Sequence, residues 1–236
     1  MANGTVPPAR ERAVQVPVDG IALNGALVVP ENARGLIVVV ASAVPGESDV
    51  ALAATVAAAL PAHGLAALLL DLLTPEERIA DGTVDDEPPD VTLLAARLVI
   101  ATVTKANDPD THGLPIGYVG AGMSGAAALI AASVRPLDVR AVVSCSAQPE
   151  DVGHAIERLR VPTLLVAGSR DPATVAASRD MLAALRGPRH LSIVRGAGRA
   201  FDEPGAADRV AALAAEWLEH DVPAAAGITP WSIGRW

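Results

Sequence analysis

The chain has 236 residues, 51% hydrophobic and 19% charged, with only five aromatics (three Trp, one Tyr, one Phe), so its core must be Ala, Val and Leu in close aliphatic packing. A formal charge of −9 with eighteen dispersed Lys and Arg argues against a nucleic-acid partner, which needs a clustered basic surface. The single cysteine, Cys145, excludes an intrachain disulfide, and the length suits one α/β domain.

Residues 1–12 are polar, with Arg10, Glu11 and Arg12 and no apolar stretch behind them, which speaks against a secretory signal of the usual form. Strands are expected near 13–17 and 24–29, joined at Asp19-Gly20 as an antiparallel hairpin. Further strands are expected near 35–41, 65–71, 115–120, 139–145, 162–167 and 190–195, each preceded by a crossover helix. Helices are expected near 48–60, 89–106, 124–134, 150–158, 174–186 and 205–219, with stops at Gly64, Pro109, Pro136, Pro162, Gly187 and Asp221-Val222-Pro223. This alternation predicts an α/β domain over 13–220: an eight-stranded, mostly parallel sheet with helices on both faces. Residues 221–236 read as a linker and a tail containing Trp231, Ile233 and Trp236. The longest apolar runs, Gly35 to Val44 and Leu65 to Leu70, are too short to span a bilayer, so a cytoplasmic address is expected.

The chemistry-bearing segment lies at the fifth strand. Ile116-Gly117-Tyr118-Val119 reads as a buried strand, Gly120-Ala121-Gly122-Met123-Ser124-Gly125 as a sharp turn, and Ala126 to Ala132 as a helix packed closely on the sheet. Gly113 to Ala121 resembles the segment leading into the Gly-Ala-Ser-Thr-Gly elbow of dienelactone-hydrolase-like proteins, a branch of the α/β-hydrolase fold. So do Leu70 to Glu77, Arg160 to Gly168 and Phe201 to Gly205, and the resemblance covers residues 13 to about 220. It implies an α/β-hydrolase fold acting on esters or lactones through a serine, a histidine and an acid. At the serine's place stands Gly122. A second register reads Gly122-Met123-Ser124-Gly125-Ala126 as G-x-S-x-A with Ser124 as nucleophile. Against it, Ser124 would sit in the first helical turn, about 200° around the axis from Gly122, where a hydroxyl satisfies helix-start N–H groups. Gly122 also has a plain conformational reading, since glycine is the least strained occupant of a positive-φ turn.

The resemblance places the base in Gly196-Ala197-Gly198-Arg199-Ala200-Phe201-Asp202-Glu203-Pro204-Gly205, at Arg199, which stays protonated and cannot take a proton from a nucleophile. The acid matches Asp171 in Gly168-Ser169-Arg170-Asp171-Pro172, where a turn aspartate is the alternative. The oxyanion loop matches Ala41-Ser42-Ala43-Val44-Pro45-Gly46, which has lost most of its polar, glycine-rich character. Concerted change at three parts of one machine argues that acyl transfer has lapsed. Among the histidines, His63, His112, His190 and His220 fall away from the expected catalytic edge, and His154 is the one substitute base in range. Cys145 ends the sixth strand, as a small buried hydrophobe or as a thiol nucleophile. The histidines are isolated and no Cys-x-x-Cys occurs, so no metal and no cofactor are expected.

Two further expectations follow. Asp171 and Arg199 are expected to form an ion pair where an Asp–His pair once stood; if Arg199 instead points into the pocket it suits a carboxylate or phosphate, beside Ser42 and Met123. The tail anchors a partner through Trp231, Ile233 and Trp236, Ile233-Gly234-Arg235 weakly resembling the cargo-loading peptides of encapsulin systems, or it folds back onto its own domain. The reading is a non-hydrolytic protein of this fold that binds a small molecule or a protein partner. The alternatives are a serine hydrolase using Ser124, Asp171 and His154, and a lyase or isomerase using Arg199 as an electrostatic clamp.

Overall fold

In the computed structural model, which describes residues 9–41, 49–80, 90–135 and 138–223, the chain opens with a hairpin. β1 (Ala9–Val18) pairs antiparallel with β2 (Ile21–Pro30) around Asp19 and Gly20, whose φ angles of 44° and 84° match a two-residue turn compatible with strand twist. β1 begins four residues before the expected strand, because Ala9 to Arg12 pair with Leu27 to Pro30. The polar Arg10, Glu11 and Arg12 are tolerated there, since β1 is an edge strand and charges blunt an edge.

β3 (Leu36–Val40) follows β2 without a helix, contrary to the expectation that every later strand is preceded by a crossover. The reason is non-local: β4 (Ala66–Leu70) inserts between them, antiparallel to β2 and parallel to β3, so no crossover joins β2 to β3. Between β3 and β4 lie α1 (Asp49–Ala59) and a 3₁₀ turn (Leu60–His63) closed by Gly64 at φ 68°. Then follow α2 (Pro75–Ala80), α3 (Val91–Ala106), β5 (Ile116–Ala121), α4 (Gly122–Val134) and β6 (Val139–Cys145). The single helix expected over 150–158 is two short turns, α5 (Pro149–Val152) and α6 (Ala155–Arg158), interrupted by Gly153 at φ 53°. β7 (Thr163–Gly168), α7 (Pro172–Ala184), β8 (Arg189–Val194) and α8 (Ala206–Asp221) complete an eight-stranded sheet of order β1-β2-β4-β3-β5-β6-β7-β8, parallel from β4 to β8. Among the described residues no helix is long and apolar enough to cross a membrane.

The central strands divide their side chains between two cores with the period of two that a pleat imposes. Leu36, Val38 and Val40 of β3 and Tyr118 of β5 face α3, α4 and α7, whereas Ile37, Val39, Val119 and Ala121 face α1 and α8. As the composition requires, the cores are aliphatic; among the described residues Tyr118 and Phe201 are the aromatics buried below 3% exposure. The Tyr118 hydroxyl meets Thr102 Oγ1 at 2.6 Å, and burial pushes its pKa up.

α2 carries a signal that local sequence contained. Thr74-Pro75-Glu76-Glu77 is a capping box: the Thr74 N–H donates to Glu77 Oε2 at 2.8 Å, and the Glu77 N–H donates to Thr74 Oγ1 at 3.3 Å. Arg97 of α3 clamps the same carboxylate with two N–H donors at 2.6 and 2.7 Å and also reaches the Leu72 carbonyl at 2.8 Å. This guanidinium holds the Glu77 pKa down at about 2. A carboxyl with a depressed folded-state pKa stabilises above its unfolded value and loses that contribution as pH falls through the folded one. Glu77→Gln is therefore expected to cost about 1 kcal/mol at neutral pH, a figure reduced for solvent screening of a carboxylate that is 36% exposed. The gap between wild type and variant in urea unfolding closes between pH 4.5 and about 2; a gap that persists at pH 2 refutes the assignment.

α4 crosses β5 with backbone against backbone. A Cβ on Gly120 would lie 2.4 Å from the Ser124 carbonyl oxygen, and one on Gly125 would lie 2.9 Å from the Gly120 oxygen and 2.7 Å from Ser144 Oγ. Gly120→Ala is expected to cost about 3 kcal/mol, since backbone cannot yield as a side chain can. Gly122→Ala, at φ 51°, is expected to cost the positive-φ penalty of roughly 1–2 kcal/mol. Denaturation midpoints of the two variants test this, and equal midpoints would contradict it.

Candidate functional site

Strand order reverses at β3: β4 lies on one side of it and β5 on the other. In open α/β sheets such a reversal opens a crevice beyond the strands' carboxyl ends. β5 ends at Ala121 and α4 begins at once with Gly122, whose φ of 51° places a left-handed residue at the tip of the turn. No side-chain atom stands there. Ser124 is 0% exposed within the first turn of α4, and Met123 is half-buried beside it. Of the expected oxyanion loop Ala41 is buried, and Ser42 to Gly46 lie outside the described residues, as do Trp231, Ile233 and Trp236.

Asp171 is the N-cap of α7. Its Oδ1 accepts the Thr174 N–H at 3.1 Å and its Oδ2 accepts the Thr174 hydroxyl at 2.6 Å, in the Asx geometry that starts helices. These bonds, the hydroxyl's first, lower its pKa, with a further through-space contribution from Arg199. The expected Asp171–Arg199 ion pair is not formed: among the described residues no such pair closes, and Thr174 satisfies the carboxylate instead. Arg199 is exposed, and among the described residues its guanidinium makes no hydrogen bond or ion pair.

What holds the Arg199 loop is its backbone. Ser146, directly after β6 and at φ 53°, donates its hydroxyl to the Arg199 carbonyl at 2.9 Å. Gln148 Nε2 donates to the Ser146 carbonyl at 3.3 Å and to Thr174 Oγ1 at 3.4 Å. A polar chain thus runs Asp171–Thr174–Gln148–Ser146–Arg199 across the carboxyl ends of β6 to β8. Ser169 Oγ takes the Gly196 N–H at 2.8 Å, and the Glu203 carboxylate takes the Gly198 N–H at 2.8 and 3.0 Å. Gly168 admits this close approach, because a Cβ there would meet the Gly198 oxygen at 2.2 Å. Sequence reading missed Ser146, Gln148 and Thr174. An Asp-x-x-Thr spacing announced Thr174, whereas the roles of Ser146 and Gln148 depend on strands distant in sequence.

The histidines are engaged elsewhere or exposed. His63 Nδ1 lies 2.7 Å from Glu219, His112 3.1 Å from the Ala106 carbonyl, and His220 3.2 Å from Asp221. His190 stacks on Trp217. His154, weighed as a substitute base, has a side chain 92% exposed and lies 3.7 Å from Glu157. Cys145 is a buried thiol lining a small apolar space with Val39, Leu52, Val56 and Val119. Among the described residues no three His, Cys, Asp or Glu side chains gather as metal ligands.

No family model matches the chain. A Mycobacterium tuberculosis protein, named provisionally as a phosphoribosyl transferase and found in two strains, is 38% identical over 215 residues, which are 91% of this chain but 47% of that protein. The chain thus spans about half the length of the curated relatives it matches. Among solved structures, a dienelactone hydrolase from Anabaena variabilis is 40% identical with a TM-score of 0.85, covering 91% of this chain and 99% of that one. The esterase Est1E from Butyrivibrio proteoclasticus, at 16% identity and TM-score 0.69 over 87% and 98% of the two chains, shares the fold. An eight-stranded α/β-hydrolase sheet, its turn at the strand-order reversal, and 40% identity over nearly the whole domain make this chain a member of the dienelactone hydrolase family.

Proposed function

We propose that this chain is a non-hydrolytic member of its family, which holds a small organic anion in the crevice between the Gly122 turn and Arg199. The observation that carries the reading is the turn tip itself: a left-handed glycine occupies it, so no oxygen stands where an acyl group would be attacked. The cation aligned with the base position cannot accept a proton, and it is left unengaged among the described residues. An exposed guanidinium and the N–H groups that open a helix each suit a carboxylate, one through charge-assisted bonds and the other through N–H donors. The buried Ser124 and the exposed His154 speak against the serine-hydrolase alternative. The phosphoribosyl transfer in the M. tuberculosis protein's name is not carried over, because the match reaches only half of that protein.

Two measurements test the reading. Wild-type protein is expected to take no label from a fluorophosphonate probe and to leave p-nitrophenyl esters intact. Gly122→Ser combined with Arg199→His is expected to acquire labelling. Labelling of the wild type that vanishes in Ser124→Ala overturns the proposal in favour of the hydrolase. For binding, ferulate, the acid held by Est1E, serves as an aryl-carboxylate probe. At about ten times its dissociation constant it adds roughly 1.4 kcal/mol, a Tm rise of about 3–5 °C. Arg199→Gln should abolish most of that rise; an equal rise in this variant removes Arg199 from the site.

A further inference from the structure

α3 is built inside out. Its two charged side chains point inward: Arg97 is 8% exposed and holds Glu77, and Lys105 is 4% exposed and donates to Asp108 at 2.8 Å. The outward face carries Thr92, Leu93, Ala96, Ile100, Val103 and Asn107, all exposed, with Leu93, Ile100 and Val103 at 44%, 38% and 41%. A helix on the surface of a globular domain ordinarily reverses this order, with charges outward and apolar groups inward. An apolar stripe left in water over about four turns marks a surface that is covered by something.

The spacing says what kind of surface fits. Positions 93, 96, 100, 103 and 107 follow one another at three, four, three and four residues, the repeat that keeps a narrow seam on one side of a helix and receives a second helix, knobs into holes. The seam is also self-complementary. Turned about a two-fold axis through Ile100, an antiparallel copy of α3 sets Leu93 against the partner's Asn107, Ala96 against the partner's Val103, and Ile100 against the partner's Ile100. Small Ala96 then takes a larger side chain, and the seam itself brings no like charges together. Each helix N-terminus lies beside the other's C-terminus, where the helix dipoles attract.

We infer that the occupant is a second copy of this chain, with α3 packed antiparallel on α3 in a homodimer. The face offers little to a partner of other chemistry: it has no charge to read, and the Asn107 amide already donates to the Val103 carbonyl at 2.8 Å. Area sets the strength. The seam is about 21 Å long and roughly 10 Å wide, a footprint of roughly 200 Å². Even with Val134, 58% exposed at the end of neighbouring α4, this stays below the roughly 800 Å² per partner of a standard interface, so the dimer is weak, with a dissociation constant on the order of 10–100 µM. Each copy carries a net charge of −9, so added salt strengthens the association by screening their repulsion. The crevice is not involved, and the inference stands apart from the proposed anion binding.

Sedimentation velocity across a wide concentration range tests it. The average mass is expected to rise from one chain toward two between about 1 and about 500 µM, with a lower midpoint at high salt. Ile100→Glu and Ile100→Lys each place like charges on the axis and are expected to raise the midpoint at least tenfold, while the unfolding temperature of the dilute protein stays that of wild type. Mixed one to one, the two variants are expected to pair again, since a carboxylate then meets an ammonium. Wild type that stays a single chain throughout overturns the inference, as does a dimer that tolerates both substitutions or a mixture that fails to pair. Wild type that stays single and instead binds neutral phosphatidylcholine vesicles, with Ile100→Glu abolishing that binding, overturns it in favour of a lipid surface.

Discussion

The site depends on one close contact, the crossing of α4 over β5. Gly120 and Gly125 let the helix backbone descend onto the strand, and the Ser124 carbonyl sits where a Cβ on Gly120 would be. With the helix pinned there, the intervening residues have no slack: β5 must end at Ala121, and Gly122 must turn left-handed to begin α4. The same constraint drives Ser124 inward to full burial. The identity of the residue at the tip and the conformation of the tip are therefore separable. The turn remains whether residue 122 carries an oxygen or not, and glycine there relieves the strain that a serine would bear.

A second consequence concerns the acid. A buried carboxylate without a partner would be a costly state. Asp171 avoids it by capping α7, with both oxygens on Thr174 and only through-space help from Arg199. The cap gives Asp171 a use to the fold in its own right. The Arg199 loop is likewise held by structure, since the Ser146 hydroxyl and the Gly168 contact grip its backbone and leave the guanidinium unconstrained.

Much of this was legible in the chain. Unbroken β-branched and aliphatic runs such as Leu36 to Val40 marked parallel strands buried on both faces, and Asp19-Gly20 marked the hairpin. The glycines flanking residue 122 marked the sharp turn. The capping box at Thr74 and Glu77 was equally present but is short, and it competes with a proline-rich context that also suits a loop. The rest was absent from local sequence. That β4 inserts between β2 and β3 depends on pairing across some forty residues, that Ser146 takes a positive φ depends on the loop it supports, and the break at Gly153 is one of many helical glycines that need not interrupt a helix.

The overall charge bears on the proposed ligand. A chain of net charge −9 repels an organic anion at long range, yet at physiological ionic strength charges beyond about 8 Å are largely screened. Under the proposed reading the groups that count within that distance are the start of α4 and the Arg199 guanidinium, set against an Asp171 carboxylate that already accepts two hydrogen bonds from Thr174. Local charge then decides binding while net charge slows approach, so under this reading added salt speeds association more than it weakens the complex.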